Sequence, residues 1–501
     1  MPTVSASFWM VLPVVLPLAG GLLCFLWRQR SLWLPLAFAL VNLIVVIRLT
    51  RLLLIQGPLH YQIGGWETPL GIVLVLDGPA LLMLLLTALC GAGVTCYARG
   101  YFAYRISAQK QPGRHERQER FFWPLWLMLL AALNGLFLSG DIFNIYVTLE
   151  LLSISAVALA ALSGKPVAQL ASFRYLLASL LGSLSYLLGI FFIYRSHGVL
   201  DLGLLRAVVE PGSSMTAGLV LMSCGLLLKS AAFPLHFWLP PAHANALAPV
   251  SAILSGLVIK GSLYLLFRFW FDTFASLISP AALNVIGMLG ILAVFWGGIL
   301  ALLQQRLKLL VAYSTVSQVG YFLIAFPLAY HDATLSVWTA FLFMILAHGC
   351  AKVAMFMAAG TMYLHSGHDR MRDLHGIRLV MPLTVFAYGM AGVNLMGLPP
   401  SGGFVGKWLL LTGAFDDGQW WWSVAIMAGG LLAAAYVFRV MSPLFQAPVG
   451  ASIFDGRPTP ALLEWPPLVL SLIALLLGLF APGIMALLTA NGGAVISGGL
   501  P

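Results

Sequence analysis

Hydrophobic positions in this chain come in long unbroken runs. They show neither the period-two alternation of half-buried strands nor the one-sided stripe of soluble helices. Crossing about 30 Å of hydrocarbon takes about 20 apolar residues at 1.5 Å each. Runs of that order lie at roughly 8–26, 33–55, 78–98, 121–139, 142–162, 173–194, 215–239, 245–270, 281–303, 309–330, 334–364, 379–413, 420–446 and 464–490. These fourteen runs predict an all-α polytopic membrane protein. No basic stretch precedes the first run, so it reads as a spanning helix and not as a secretory signal.

Two of the runs are interrupted. The seventh carries Pro234 and the twelfth carries Pro399 and Pro400, followed by Gly402, Gly403 and Gly406. Proline removes a helix donor and frees carbonyls, which lipid does not satisfy; such breaks are tolerated where protein or water takes over. Each break has a lysine beside it, Lys229 or Lys407. The seventh run is fourth in the group four to eight, and the twelfth is fourth in the group nine to thirteen. Groups of five are odd in number, so the second enters from the opposite side, which predicts two inverted five-helix repeats. The organisation expected is helices 1–3 in residues 1–120, repeats at 121–270 and 281–446, and a last helix at 464–490.

Composition agrees: 61% of the 501 residues are hydrophobic and 8% are charged, which excludes a soluble globular protein. The net charge of +10 is a matter of topology. Taking alternate loops together, one side carries Arg28, Arg30, Arg99, Arg105, Lys110, Arg114, Arg117, Arg120, Lys165, Arg174, Arg306, Lys308, Arg370, Arg372, Arg378, Arg439 and Arg457. The other carries Arg48, Arg51, Arg195, Arg206 and Arg268. The richer side is expected to be cytoplasmic, which puts both termini outside, and no nucleic-acid partner is implied. Four lysines remain within the runs: Lys229, Lys260, Lys352 and Lys407. Cys24, Cys90, Cys96, Cys224 and Cys350 show no CxxC spacing and read as small hydrophobes, so no metal or cofactor is expected. With no phosphate loop or dinucleotide fingerprint, energy has to come from an ion gradient or a partner protein.

A lysine at mid-bilayer costs about 2.5–3.5 kcal/mol on insertion scales, so four of them call for a use. Glu150 is the one acidic residue near the middle of a run, and Lys229 is its natural partner. Opening such a pair strands a lysine without counter-charge, which then gives up a proton. His348 and Lys352 stand four apart on one helix face, and imidazole suits a relay because its two nitrogens can accept and donate separately. The row Glu150, Lys229, Lys260, His348 and Lys407 is the candidate path, with His236, His243 and Lys352 as secondary relays. The cluster of His365, His368, Asp369, Asp373 and His375 reads as a solvated connector, Asp77 as an interfacial cap or partner contact, and the tryptophans as belt and packing residues.

The segments YVTLELLSISAVAL, LLLKSAAFPLHFWLPPAHANALAPVSAILSGLVIKGSLYLL, FMILAHGCAKVAMFMAAG and GLPPSGGFVGKWLL resemble the antiporter-like proton-conducting subunits. These occur in respiratory complex I, membrane-bound hydrogenases and Mrp-type cation/proton antiporters, and the resemblance covers nearly the whole chain. It implies fourteen helices, an axis of buried charge and water along the membrane plane, and a prokaryotic cell membrane. In that family the positions of Glu150, Lys229, Lys260, His348 and Lys407 carry the proton path, and Lys407 stands where one complex I subunit has glutamate. Length, the PPSGGF break and the lack of a long C-terminal extension make the chain most similar to the D subunits of Mrp-type antiporters. The implied partners are other membrane subunits, protons, sodium and the lipid bilayer; the alternative is a proton-pumping subunit of a redox complex, whose cofactors would lie on its partners.

Overall fold

The computed structural model describes residues 6–27, 33–107, 112–330, 336–446 and 459–489. Arg28, Arg30, Lys110 and Arg457, part of the charge bias above, lie outside the described residues, as do both termini. The chain runs through α1 (Ala6–Leu26), α2 (Leu34–Gln56), the strands β1 (Leu59–Gln62) and β2 (Val73–Leu76), α3 (Gly78–Ser107), α4 (Pro112–Leu138), α5 (Ile142–Ala161) and α6 (Pro166–His197). A short α7 (Leu202–Val208) leads to α8 (Ser213–Lys229) and, past a break, α9 (Leu239–Asn245). Next come α10 (Ala248–Ile253) and α11 (Ile259–Arg268), joined by a π turn over Leu254–Val258. The remainder is α12 (Pro280–Leu303), α13 (Leu307–Ala329), α14 (Ser336–Ser366), α15 (Pro382–Met396), α16 (Gly402–Asp416), α17 (Trp421–Phe445), α18 (Ala461–Leu476) and α19 (Ala481–Thr489).

Among the described residues, eleven helices are long and apolar enough to cross a membrane, or twelve if α18 and α19, bent by 77°, are one span. The seventh expected run appears as the shorter α8 and its continuation, and the twelfth as α15 and α16 on either side of a break. The chain is thus a multi-pass helical membrane protein. The expected all-helical pattern missed the β1–β2 hairpin, antiparallel with Leu59 opposite Leu76. Its signal was legible in Val73 and Val75, β-branched at alternate positions.

Burial sorts the helices into a centre and a rim. The helix over Ala248–Thr273 and α14 are buried along their whole apolar windows, whereas α1, α2 and α17 are mostly open. The rim shows large apolar side chains such as Ile44, Leu181 and Phe438, suited to hydrocarbon rather than water. At the centre, Phe267 of α11 stacks on Phe341 of α14 with ring centroids 3.9 Å apart, and Phe326 of α13 meets it edge-on at 5.2 Å. This aromatic knot fixes the three helices that carry Lys260, Lys308, His348 and Lys352.

Candidate functional site

The site begins on α5. Asp141 caps that helix by accepting from Asn144 N at 2.7 Å, which sets Glu150 about 13 Å along it. Glu150 Oε1 accepts from Ser183 Oγ on α6. Lys229 closes α8, where a helix's carboxyl end favours a cation. Its Nζ lies 3.7 Å from Glu150 Oε1 and donates to Ser153 Oγ at 2.7 Å and Ser179 Oγ at 3.0 Å. The charges therefore stand at ion-pair distance without a direct hydrogen bond, each bonded to serine hydroxyls of its own. The Lys229 side chain is 5% exposed and that of Glu150 22%. Glycines let α8 come this close to α6: a Cβ on Gly225 would stand 2.3 Å from the Gly182 carbonyl oxygen, the small-residue packing that membrane helices use.

Past Lys229 the chain turns through Ala231, at a φ of 54°, and Pro234. The carbonyl of Leu228 accepts from Trp238 Nε1 at 3.0 Å, and Trp238 stacks on Tyr175 at 4.2 Å. The break is thus satisfied inside the fold. The second break is built differently. Pro399 and Pro400 form its turn, Ser401 caps α16 by accepting from Phe404 N at 3.1 Å, and Gly403 N donates to Asn394 Oδ1 at 2.9 Å. A Cβ on Gly403 would meet the Asn394 carbonyl oxygen at 2.0 Å and one on Gly402 the Ala347 Cβ at 2.8 Å, so both positions demand glycine. Lys407 reaches back across this break. Its Nζ donates to Leu395 O at 2.8 Å and Met396 O at 3.3 Å, carbonyls that the end of α15 leaves without helical donors. It also lies 4.4 Å from the centre of the Tyr321 ring.

Between the breaks the same device recurs. Lys260 is fully buried and donates to the Ser255 carbonyl inside the π turn, where the helical bonding pattern is shifted. Lys352, also fully buried, donates to Ser314 Oγ and to Val311 O at 3.1 Å. One turn before it, His348 has no hydrogen-bond partner for either ring nitrogen among the described residues. His348 and Lys407 face one space of about 10 Å³, lined also by Gln318 and Asn394, on the order of a single water. Lys260, Lys352 and Lys407 are all within electrostatic reach of His348. His243 is within electrostatic reach of Lys260, Lys308 and Lys352, and it is buried and stacked on Phe356 at 5.1 Å with both nitrogens unpartnered among the described residues. His236 sits apart on the open side of the first break, half-buried against Phe233 at 5.6 Å. Among the described residues no direct hydrogen bond joins one member of the row to the next, and the first pair alone lies within ion-pair distance.

Three expectations need correction. Lys308 is not a loop charge: it is buried in the first turn of α13 and donates to Ala246 O at 2.6 Å, at the break between α9 and α10. Its place next to Arg306 hid it. Arg268 is not a loop charge either. It pairs with Asp77 at 2.7 Å and Asp272 at 3.7 Å, while Arg206 also binds Asp272, and Asp77 caps α3 by accepting from Ala80 N at 2.9 Å. The segment holding His365 and Asp369 is docked rather than solvated. Asp369 pairs with Arg306 at 3.0 Å, Leu307 N donates to Asp369 O at 2.7 Å, and buried His365 stacks on Tyr104 at 5.1 Å. The thiols of Cys90 and Cys350 also face each other at 3.9 Å.

Buried lysines held by carbonyls and hydroxyls inside a bundle with broken helices define a class, the polytopic membrane protein with basic side chains in its interior. The particular family follows from comparison with known proteins. The chain belongs to the family described as NADH:quinone oxidoreductase/Mrp antiporter, TM, which matches residues 139–433, a stretch that includes every residue from Glu150 to Lys407. It is 32% identical to the N subunit of NADH-quinone oxidoreductase from Desulforudis audaxviator, over 95% of this chain and 96% of that one. It is 29% identical to the D subunit of the Na(+)/H(+) antiporter from Bacillus subtilis, over 94% of each. In fold it matches a chain of the Mrp complex from Dietzia sp. DQ12-45-1b with a TM-score of 0.87, at 24% identity over 98% of both chains.

Proposed function

We propose that the chain is a proton-translocating subunit of a multisubunit sodium/proton antiporter in a prokaryotic cell membrane. The observation that carries this reading is the Glu150–Lys229 pair at 3.7 Å, standing at one end of a row of cations bonded to carbonyls and hydroxyls. Counting the broken helices as spans gives fourteen, read as three helices, two inverted five-helix units and a last helix, with both termini outside. A proton taken up from one side loads Lys229 or Lys260, passes by His348 and water to Lys407, and leaves on the other. Separation of Glu150 from Lys229, driven by a neighbouring subunit, gates the transfer. Lysines held by neutral groups suit this work: each can lose its proton without stranding a carboxylate. Moving one charge through 100 mV involves about 2.3 kcal/mol, within the range of a rearranged buried ion pair.

The relative named as an NADH-quinone oxidoreductase subunit favours a second reading, a pumping subunit of a redox complex. Purification from native membranes separates the two. A cofactor-free set of small membrane chains with sodium-dependent proton flux in everted vesicles is the expected result. Co-purifying iron–sulfur or flavin chains, with no sodium-dependent flux, would replace the antiporter by the redox complex.

A further inference from the structure

On the face rich in arginine and lysine, a cavity of about 230 Å³ opens where six parts of the chain meet: the ends of α3 and α14, the start of α4, and the α5–α6, α9–α10 and α12–α13 turns. Arg105, Arg114, Lys165, Arg306 and Lys308 line it, and Asp369 is the one carboxylate among its described lining residues. Asp369 is already taken by Arg306, whose Nε donates to both carboxylate oxygens at 3.0 and 3.1 Å. The described lining therefore sets five basic side chains against one carboxylate in a concave space bounded by protein, where like charges repel more strongly than in open water. Two of the guanidinium groups are fixed in place. Arg105 donates to Gln118 Oε1 at 3.0 Å and lies 5.3 Å from the centre of the Tyr101 ring, and Arg114 donates to Ser163 O at 2.8 Å.

We propose that this cavity binds a phosphate-bearing anion, either the headgroup of an acidic phospholipid or free phosphate. Planar guanidinium forks match phosphate oxygens in pairs, and lysines add point charges. A basic pocket between membrane helices at the cytoplasmic surface is where acidic headgroups are held. The bound anion would tie the first helices to the start of α13, because Arg105 and Arg114 come from α3 and α4 while Arg306 caps α13 and Lys308 lies in its first turn.

The test uses the intact complex. Native mass spectrometry counts phospholipid retained after exhaustive detergent exchange, and calorimetry follows inorganic phosphate added to the delipidated complex. Wild type is expected to retain a phospholipid or to bind phosphate, more weakly as salt rises. The Arg114→Ala/Lys165→Ala variant is expected to lose roughly thirtyfold in affinity, from about fivefold per basic group, and Arg114→Lys/Lys165→Arg to keep most of it. Retained lipid lost in the alanine variant identifies a headgroup; phosphate binding weakened in that variant identifies the free anion. Neither ligand on wild type overturns the proposal, whatever the variants do. So does equal binding by wild type and the alanine variant, or a carboxylate of a neighbouring subunit found filling the cavity.

Discussion

Arg268 lies among three partners, Asp77, Asp272 and the Tyr264 hydroxyl, the last 2.6 Å from its Nη1. The side chains of Asp77 and Asp272 are each 4% exposed, so removing the guanidinium leaves two buried carboxylates, one still paired with Arg206. Breaking a buried pair from one side costs about 3–5 kcal/mol. Arg268→Ala should therefore lower the thermal unfolding midpoint of the purified complex markedly, whereas Arg206→Ala, at a pair whose arginine is 42% exposed, should change it little. Equal midpoints for wild type and Arg268→Ala would contradict this. The buried lysines behave by another rule, since among the described residues Lys229 alone has a carboxylate within ion-pair distance. Lys308→Met should leave the Ala246 carbonyl without its donor and cost about 1–3 kcal/mol, read in the same melts. The sequence showed the lysines inside apolar runs plainly. It hid Lys308 and Arg268 because each stands at a helix end, where only the folded neighbours decide between water and core.

At the scale of elements, the position of Lys229 depends on how closely α8 packs on α6. Gly225→Ala places a methyl against the Gly182 backbone, which has no side chain to move aside, and overpacking of this kind costs about 1–3 kcal/mol. The variant should melt earlier and lose coupled proton flux together, because α6 also supplies Ser179 and Ser183. Gly430→Ala is the matched control, since its Cβ would meet nothing closer than Met396 O at 3.5 Å; similar losses in both variants would remove the packing argument. Both breaks were legible as prolines next to lysines. What holds them was not: the Trp238 and Asn394 contacts join residues 9 or 10 positions apart across a turn, and spacing alone does not fix such a bond. The hairpin was overlooked because two four-residue strands are faint beside runs of twenty apolar residues.

At the scale of the whole molecule, hydropathy announced a membrane bundle, and the lysine row is what the proposal that the bundle moves charge rests on. Tertiary contact alone revealed that the central row is carried by the three most enclosed stretches, α10–α11, α13 and α14, and that carbonyls rather than carboxylates hold most of it. On the proposed reading the row works as a unit, so loss of its first pair should stop flux without disturbing assembly. The decisive measurement is sodium-driven proton movement in proteoliposomes containing the purified complex with Glu150→Ala or Lys229→Ala. Coupled flux should vanish in both while every subunit still co-purifies, and wild-type flux in both would show that protons do not pass this way.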